Sequence, residues 1–275
     1  MIRTAFALAL TAAVATAQDT SSLERLSSFD DVRDWQAVGR LELRDGGGYC
    51  TATMITRQHI LTAAHCVLDR QTRRPMPASS LLFRAGLRDG AFLASRPAAR
   101  VAYVEEYTRP GLDFVARVAF DIAVVELREP IADLGIVPFT EFGVPPEDGV
   151  VTVISYAEGR EAAPSLQERC NIEDPDADQV LKFDCDLTFG ASGSAVFTLV
   201  EGRPVVVTIV SGGRRRGGVS TVYGPRLDDR VEDLMADLTS ENAARRLSAG
   251  QERRSLSDQL NRPDREPGRL PQIGQ

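Results

Sequence analysis

Residues 121–127 read DIAVVEL, a short apolar run rich in Val and Ile that begins with a carboxylate. Runs of the same kind recur on both sides of it, each bounded by Gly, Pro or Asp clusters, and this is the pattern of β-strands. They lie at residues 38–43, 54–55, 101–104, 150–154, 195–200 and 205–210. No segment of helical period interrupts them, so the crossover helices that a parallel sheet requires are missing. The sequence therefore predicts an all-β protein with antiparallel strands.

The strand runs form two groups, separated by a proline-marked connection at residues 130–146. We expect one β domain at residues 35–135 and a second at residues 136–240. The period changes only near the end, where apolar residues spaced by four, three and four positions form one helical face: Leu227, Val231, Leu234 and Leu238. This spacing predicts a C-terminal helix that caps the second domain.

Composition excludes several classes of protein. Of the 275 residues, 43% are hydrophobic and 26% charged, which is unlike collagen, a coiled coil or a wholly disordered chain. The 32 basic and 39 acidic residues are interleaved and give a net charge of -7. The sequence therefore shows no concentration of positive charge, and nucleic acid and anionic membranes are not expected partners.

The two ends of the chain differ from its middle. Residues 1–17 combine a positive charge, an apolar run of 13 residues and small residues before Gln18, as in a secretory signal peptide. A membrane anchor is the alternative, but crossing a bilayer takes about 20 residues. Residues 18–34 are polar and charged, which indicates a leader, a propeptide or a loose arm. Residues 241–275 indicate a disordered tail. We expect a secreted or periplasmic protein without membrane insertion.

Three side chains are candidates for chemistry. His65 lies in the stretch LTAAHC at residues 61–66, and a lone histidine near apolar residues is often structural. Asp121 leads directly into a buried strand, where a carboxylate needs a cationic or hydrogen-bonding partner. Ser192 lies in GASGSA at residues 190–195, which alone would indicate a tight Gly/Ser loop. The four cysteines fit two disulfides in an oxidising compartment, or a metal site or buried thiols elsewhere.

Together these segments resemble the chymotrypsin-like serine endopeptidases, which carry His, Asp and Ser in that order on a pair of β-barrels. The stretch TAAHC at residues 62–66 matches the histidine motif, DIA at 121–123 the aspartate motif and GASGSA at 190–195, in part, the serine motif. The bacterial branch that includes the glutamyl endopeptidases is more similar than the animal digestive enzymes, because it favours Ser-Gly-Ser after an uncharged residue. The resemblance covers roughly residues 38–238 and implies two antiparallel six-stranded barrels.

The resemblance implies a role for each candidate. His65 is the base, Asp121 orients it, and Ser192 attacks the scissile carbonyl. Backbone N–H groups of Gly190 and Ser192 form the oxyanion hole. Such an enzyme is expected to act as a monomer on protein or peptide substrates without a metal or organic cofactor. The alternative is a binding protein that has kept the fold and lost hydrolysis.

The resemblance also implies that Cys50 pairs with Cys66, on either side of the segment that delivers His65. Cys170 and Cys185 are then left for each other. A Cys/His metal site beside His65 is the alternative, but the CxxC or HxxxH spacing of such a site is missing.

Two departures from the family pattern concern activation and charge. The digestive enzymes have an Asp before the nucleophile that pairs with the new N-terminus, and Ala191 stands there in this chain. Activation through that ion pair is therefore excluded. Relatives that cleave after glutamate have a His in the strand aligned with residues 208–213, where this chain has none. The three arginines at 214–216 indicate a solvated loop rather than a site for acidic substrates.

Three further residues are candidates for substrate binding. Asp186 lies six residues before Ser192, where trypsin-like members have the carboxylate that selects Arg or Lys. A bridge at the adjoining Cys185 would instead turn its side chain away. Ser211 and Gly213 are expected to pair with the substrate backbone as an added strand.

Overall fold

The structure is a computed structural model that describes residues 23–26, 28–44, 47–133, 135–216 and 219–240. The predicted signal peptide at residues 1–17 and the predicted tail at 241–275 lie outside the described residues. Of the expected leader at residues 18–34, the part from residue 23 onward is described, apart from residue 27.

The described part of this N-terminal stretch is built into the fold. Strand β1 (Glu24–Arg25) pairs antiparallel with Leu166 and Ser165. The neighbouring Leu23 and Leu26 are buried. The amide of Leu26 donates to the carbonyl of Pro164 at 3.0 Å. These contacts do not fit a loose arm, because both the backbone and the apolar side chains have partners within the fold.

A short helix follows and ends the N-terminal stretch. Helix α1 (Phe29–Val32) begins with a capping box, in which the Ser28 hydroxyl accepts from the Asp31 amide and the Asp31 carboxylate accepts from the Ser28 amide. Val32 is buried. The reciprocal cap explains why so short a segment is ordered: it satisfies two amides that would otherwise lack partners.

The first half of the chain forms a closed barrel of six antiparallel strands. These strands are β2 (Val38–Leu43), β3 (Tyr49–Met54), β4 (His59–Thr62), β5 (Leu81–Ala85), β6 (Ala94–Tyr103) and β7 (Ala123–Leu127). They are joined in the order β2-β3-β4-β7-β6-β5. All five residues of β7 are buried, which explains the nearly continuous apolar run there. His59 starts β4 and pairs with Glu126.

The second half forms two antiparallel sheets around one core. Its strands are β8 (Val150–Ser155), β9 (Ser165–Asn171), β10 (Val180–Phe183), β11 (Ala195–Val200), β12 (Arg203–Ile209), β13 (Gly212–Arg216) and β14 (Val219–Pro225). One sheet has the order β1-β9-β8-β11-β12 and the other β10-β14-β13. A single bridge between Ile172 and Phe183 connects the two sheets. The all-β prediction with two antiparallel units is confirmed.

Two more helices complete the fold. Helix α2 (Phe114–Val118) lies between β6 and β7, and the Asp113 carboxylate caps it by accepting from the Ala116 amide at 2.8 Å. The predicted C-terminal helix, α3, occupies residues 230–240. Within the described ranges, no helix has the length and apolar character needed to span a bilayer.

Helix α3 lies against the first half of the chain as well as the second. Its apolar face, Val231, Leu234 and Leu238, belongs to the core cluster that includes the first barrel. At its start, Arg230 donates to the Ala119 carbonyl and lies over the Phe120 ring. The helix therefore ties the end of the chain back to the first half, and the spacing of apolar residues alone could not show which core receives them.

Candidate active site

His65 is held at the end of the first barrel by a strand, a turn and a disulfide. Strand β4 leads into the 3-10 turn Ala64–Cys66, which carries the imidazole. A disulfide joins Cys66 to Cys50 on the adjacent strand β3, with the two Cα atoms 6.1 Å apart. The turn therefore cannot shift without moving β3, and the position of the imidazole is fixed relative to the barrel.

Asp121 receives three hydrogen bonds in a buried position. It immediately precedes Ile122 and β7, and only 1% of it is exposed. One carboxylate oxygen accepts from the backbone amide of His65 at 2.9 Å, and the other contacts His65 Nδ1 at 2.7 Å. The Ser211 hydroxyl also donates to this second oxygen. These donors compensate the carboxylate for lost hydration, as its position before a buried strand required.

The environment of His65 acts on its pKa in two directions. Burial is the largest influence and lowers the pKa, because it disfavours the imidazolium. The charge of Asp121 and its hydrogen bond raise the pKa, and the net result lies above the ordinary value of 6.5. With the Nδ1 proton directed at Asp121, Nε2 is the nitrogen that can accept a proton.

The loop that carries Ser192 requires glycine at two positions. Gly190 and Gly193 have φ values of +88° and +80°, in the left-handed region that other residues rarely occupy. A Cβ atom on Gly190 would lie 2.3 Å from the Tyr49 ring, and one on Gly193 would lie 2.2 Å from the Thr62 hydroxyl. The loop thus packs directly on the first barrel, and both glycines are needed for this close approach.

The peptide groups of the loop have defined directions. The Phe189 carbonyl accepts from the Glu158 amide at 2.7 Å, and the Ala191 carbonyl accepts from the Ser194 amide at 3.0 Å. In a trans peptide the N–H points opposite to the C=O, so the Gly190 and Ser192 amides point away from these donors. Neither amide donates to another group among the described residues. Two N–H groups two residues apart, one of them on the serine itself and neither bonded within the described structure, are what an oxyanion hole needs.

Thr51 on β3 links this loop to the first barrel, and sequence analysis did not identify it. Its amide donates to the Ser192 carbonyl and its hydroxyl to the Gly190 carbonyl, each at 2.9 Å. The same hydroxyl accepts from the Tyr156 amide at 2.9 Å. Thr51 follows Cys50, so the Ser192 loop and the His65 turn are both attached to one short stretch of β3. No hydrogen bond joins Ser192 Oγ to His65 in the described structure, and such bonds often lengthen without substrate.

A cavity of about 490 Å³ opens beside Ser192. Its walls are mainly apolar, from Phe114, Leu187, Phe189, Val210 and Val222. Phe114 comes from α2 of the first half and packs edge-on against Tyr223, with the Arg214 guanidinium 5.1 Å above its ring. The two halves of the molecule therefore both contribute to this cavity.

Asp186 is not among the residues that line the cavity. Its amide donates to Gln167 Oε1 at 2.7 Å, and its carboxylate accepts from the Ser220 hydroxyl at 3.2 Å. The preceding Cys185 is bonded to Cys170, the pair left over once Cys50 and Cys66 are joined. Among the described contacts, the carboxylate is linked to the cavity wall through the Ser220 hydroxyl.

Ser211 and Gly213 lie at the edge of the second half. The Ser211 amide donates to the Tyr223 carbonyl at 2.9 Å, and Gly213 pairs with Val222. Strand β13 is an outer strand of its three-stranded sheet, so one side of its backbone is available to an added strand. Ser211 has a second role that the sequence did not suggest, since its hydroxyl contacts Asp121.

The metal-site alternative is not supported by the chemistry of its donors. Cys50, Cys66 and His65 place their potential ligand atoms within 4.8 Å of one another. The two sulfurs are bonded to each other, and a metal requires the thiolate. Of these three groups only the imidazole could act as a ligand, and one ligand does not make a site.

A β protein of two halves, with a hydrogen-bonded Asp–His pair on the first half and, on the second, a glycine-held serine loop that bonds to the first, defines the class of chymotrypsin-like serine proteases. The model of the trypsin-like peptidase domain matches residues 50–207. The chain belongs to this family and is a serine endopeptidase. A solved structure, "Structure of Glu endopeptidase in complex with MPD", is similar with a TM-score of 0.64 and 17% sequence identity. The match covers 81% of this chain and 98% of that one.

Proposed function

We propose that the protein hydrolyses peptide bonds through an acyl-enzyme intermediate, with Ser192 as nucleophile, His65 as base and Asp121 as the orienting acid. The observation that carries the proposal is the double contact of Asp121 with the amide and Nδ1 of His65. This contact fixes the tautomer that leaves Nε2 able to take a proton from a hydroxyl.

The reaction proceeds in two proton-balanced steps. Ser192 Oγ attacks the scissile carbonyl carbon while its proton passes to His65 Nε2, and the carbonyl oxygen becomes an oxyanion. The Gly190 and Ser192 amides donate to that oxyanion. They stabilise it more than they stabilise the carbonyl oxygen of the planar substrate. Collapse breaks the C–N bond, and His65 returns the proton to the leaving amine. A water molecule then attacks the acyl-enzyme ester in the same way, with His65 as base. The second half of the product leaves as a carboxylic acid and Ser192 is regenerated.

The cavity supports a preference for apolar side chains on the acyl side of the cleaved bond. Its described walls are mainly aromatic or aliphatic, and Asp186 is engaged by Ser220 rather than facing the space. Glu158 and Arg214 at the exposed lining carry opposite charges, so neither sign is favoured. This proposal replaces the preference for Arg or Lys that the position of Asp186 suggested.

Two observations support activity outside the cytoplasm. Both pairs of cysteines form disulfides, which persist in oxidising compartments. Residues 1–17 have the pattern of a secretory signal. We therefore propose that the enzyme is secreted or periplasmic.

Digestion of a peptide library, read by mass spectrometry, tests activity and specificity together. We expect cleavage after Leu, Phe or Met by the wild type and none by Ser192→Ala. Cleavage confined to Arg and Lys would contradict the apolar preference and restore the role of Asp186. A folded wild type that cleaves nothing would favour the alternative, a binding protein with this fold.

A further inference from the structure

We propose that Thr51 is a positioning residue for the oxyanion hole, acting from the first barrel on a loop of the second. The inference rests on the proposed function, because it assigns Thr51 an effect on the oxyanion that Ser192 generates. Thr51 contacts neither substrate nor the reacting atoms. It holds the peptide groups that do.

The contacts of Thr51 lie on both sides of the two proposed donors. Its hydroxyl holds the Gly190 carbonyl, and its amide holds the Ser192 carbonyl. The Gly190 carbonyl belongs to the peptide that lies between the Gly190 N–H and the Ser192 N–H. Fixing that peptide fixes the angle between the two donors, and an oxyanion hole depends on that angle.

A hydroxyl is required at this position because it both donates and accepts. It donates to the Gly190 carbonyl and accepts from the Tyr156 amide, so it connects two loops of the second half through one atom. Thr51 is fully buried, so bulk solvent does not reach its hydroxyl and cannot replace that hydroxyl in these bonds. Valine has nearly the same shape and can do neither, whereas serine can do both.

The same strand offers a matched control. Thr53 is also fully buried in β3, but its hydroxyl has no hydrogen-bond partner among the described residues. Thr53→Val removes a buried hydroxyl from the same strand without removing a contact to the loop. Comparing the two variants therefore distinguishes the effect of losing any buried hydroxyl in β3 from the effect of losing the bond between Thr51 and the Ser192 loop.

The test measures kcat, KM and affinity for a peptide boronic acid with an apolar side chain. The boronate adds to Ser192 Oγ and becomes tetrahedral, with an oxygen that needs the oxyanion hole. For Thr51→Val we expect kcat to fall about 10- to 100-fold, less than the about 10²- to 10³-fold loss on deleting a donor. KM should change less than about threefold, because ground-state binding does not use the hole. The boronate inhibition constant should rise with the loss in kcat/KM.

Thr51→Ser should restore most of the activity, and Thr53→Val should match the wild type. Circular dichroism melts report the folded fraction, so rates refer to folded enzyme. If Thr51→Val does not fold, Thr51→Ala also removes the hydroxyl and gives the same comparison. Folded Thr51→Val with unchanged kcat and boronate affinity would overturn the inference. A wild type that neither hydrolyses peptides nor binds the boronate would instead refute the proposed function.

Discussion

At the scale of single residues, the central feature is a carboxylate that is buried and fully occupied by donors. Sequence patterns identified His65 and Asp121, because each lies in a recognisable motif next to a strand. They did not identify Thr51 or the hydroxyl contact of Ser211. Nothing in the sequence distinguishes Thr51 from Thr53 two residues later, and only the fold shows that one hydroxyl meets the Ser192 loop while the other meets no partner.

The pH dependence of activity follows from the raised pKa of His65. The imidazole must be neutral to accept the Ser192 proton, so activity is present above its pKa and lost as the pH falls through it. Because the net shift is upward from 6.5, we expect kcat/KM to decline at a pH above that value. A profile of kcat/KM against pH checks this, and an inflection well below 6.5 would show that Asp121 does not control the imidazole.

Removal of the Ser211 hydroxyl should weaken the Asp–His pair. Hydrogen bonds to charged groups contribute about 1.5–3 kcal/mol. We therefore expect Ser211→Ala to lower kcat by about tenfold or more, measured with a peptide substrate. Ser155→Ala is the matched control, since the Ser155 hydroxyl is buried without a partner and its loss should leave kcat unchanged. Equal activity of the two variants would contradict a role for Ser211 at Asp121.

At the scale of elements, several strands with apolar runs were predictable, whereas β5, which reads LLFRA, was missed, as were strands with polar residues. The sequence placed β2, β7, β8, β11 and β12 close to their observed positions. It missed β9, which reads SLQERCN, because Ser165 and Gln167 occupy its buried positions. These side chains do not give the alternation of apolar and polar residues on which strand recognition depends.

Composition also did not show the contacts that the N-terminal stretch makes with the rest of the fold. Its composition is polar, but its few apolar residues are the ones that the fold buries. Composition averages over a segment, whereas packing depends on individual contacts: Leu26 is only 4% exposed and belongs to the core. The capping box and the pairing of β1 with β9 stabilise this stretch without a long apolar run.

Truncation of Leu26 tests whether this stretch is part of the folded enzyme. Replacing a buried Leu by Ala costs about 2–5 kcal/mol of stability. We expect Leu26→Ala to lower the free energy of unfolding by an amount in this range, measured by denaturant titration. Glu24→Ala, on the exposed neighbouring strand β1, should change it by less than about 0.5 kcal/mol. If Leu26→Ala has no effect, the stretch is a loose arm after all.

At the scale of the whole molecule, the site exists only where the two halves meet. The first half supplies His65, Asp121 and Thr51, and the second supplies the Ser192 loop and Ser211. Contacts across the boundary include the Thr51 bonds to the loop and the Ser211 contact with Asp121. An aromatic cluster of Trp35, Phe139 and Phe197 also spans it, with ring centroids 4.7–5.8 Å apart.

The order of the motifs along the chain could predict that three distant segments meet, but not the walls of the cavity beside them. Phe114 reaches the cavity from α2, and Val222 from a strand that sequence analysis did not identify. Asp186 shows the limit most clearly. Its position in the sequence suggested a preference for basic side chains, whereas Asp186 does not line the cavity and its carboxylate accepts from Ser220 in the cavity wall.

The most direct test of the catalytic assignment is covalent labelling with a fluorophosphonate probe, followed by mass mapping of the modified peptide. The probe forms a bond between phosphorus and the activated serine oxygen and releases fluoride. We expect one adduct, on Ser192, in the folded wild type at pH 8, and none in Ser192→Ala. His65→Ala should label at least about 10³-fold more slowly, because the hydroxyl then has no base. A folded wild type without an adduct on Ser192, or equal labelling of His65→Ala, would contradict the account.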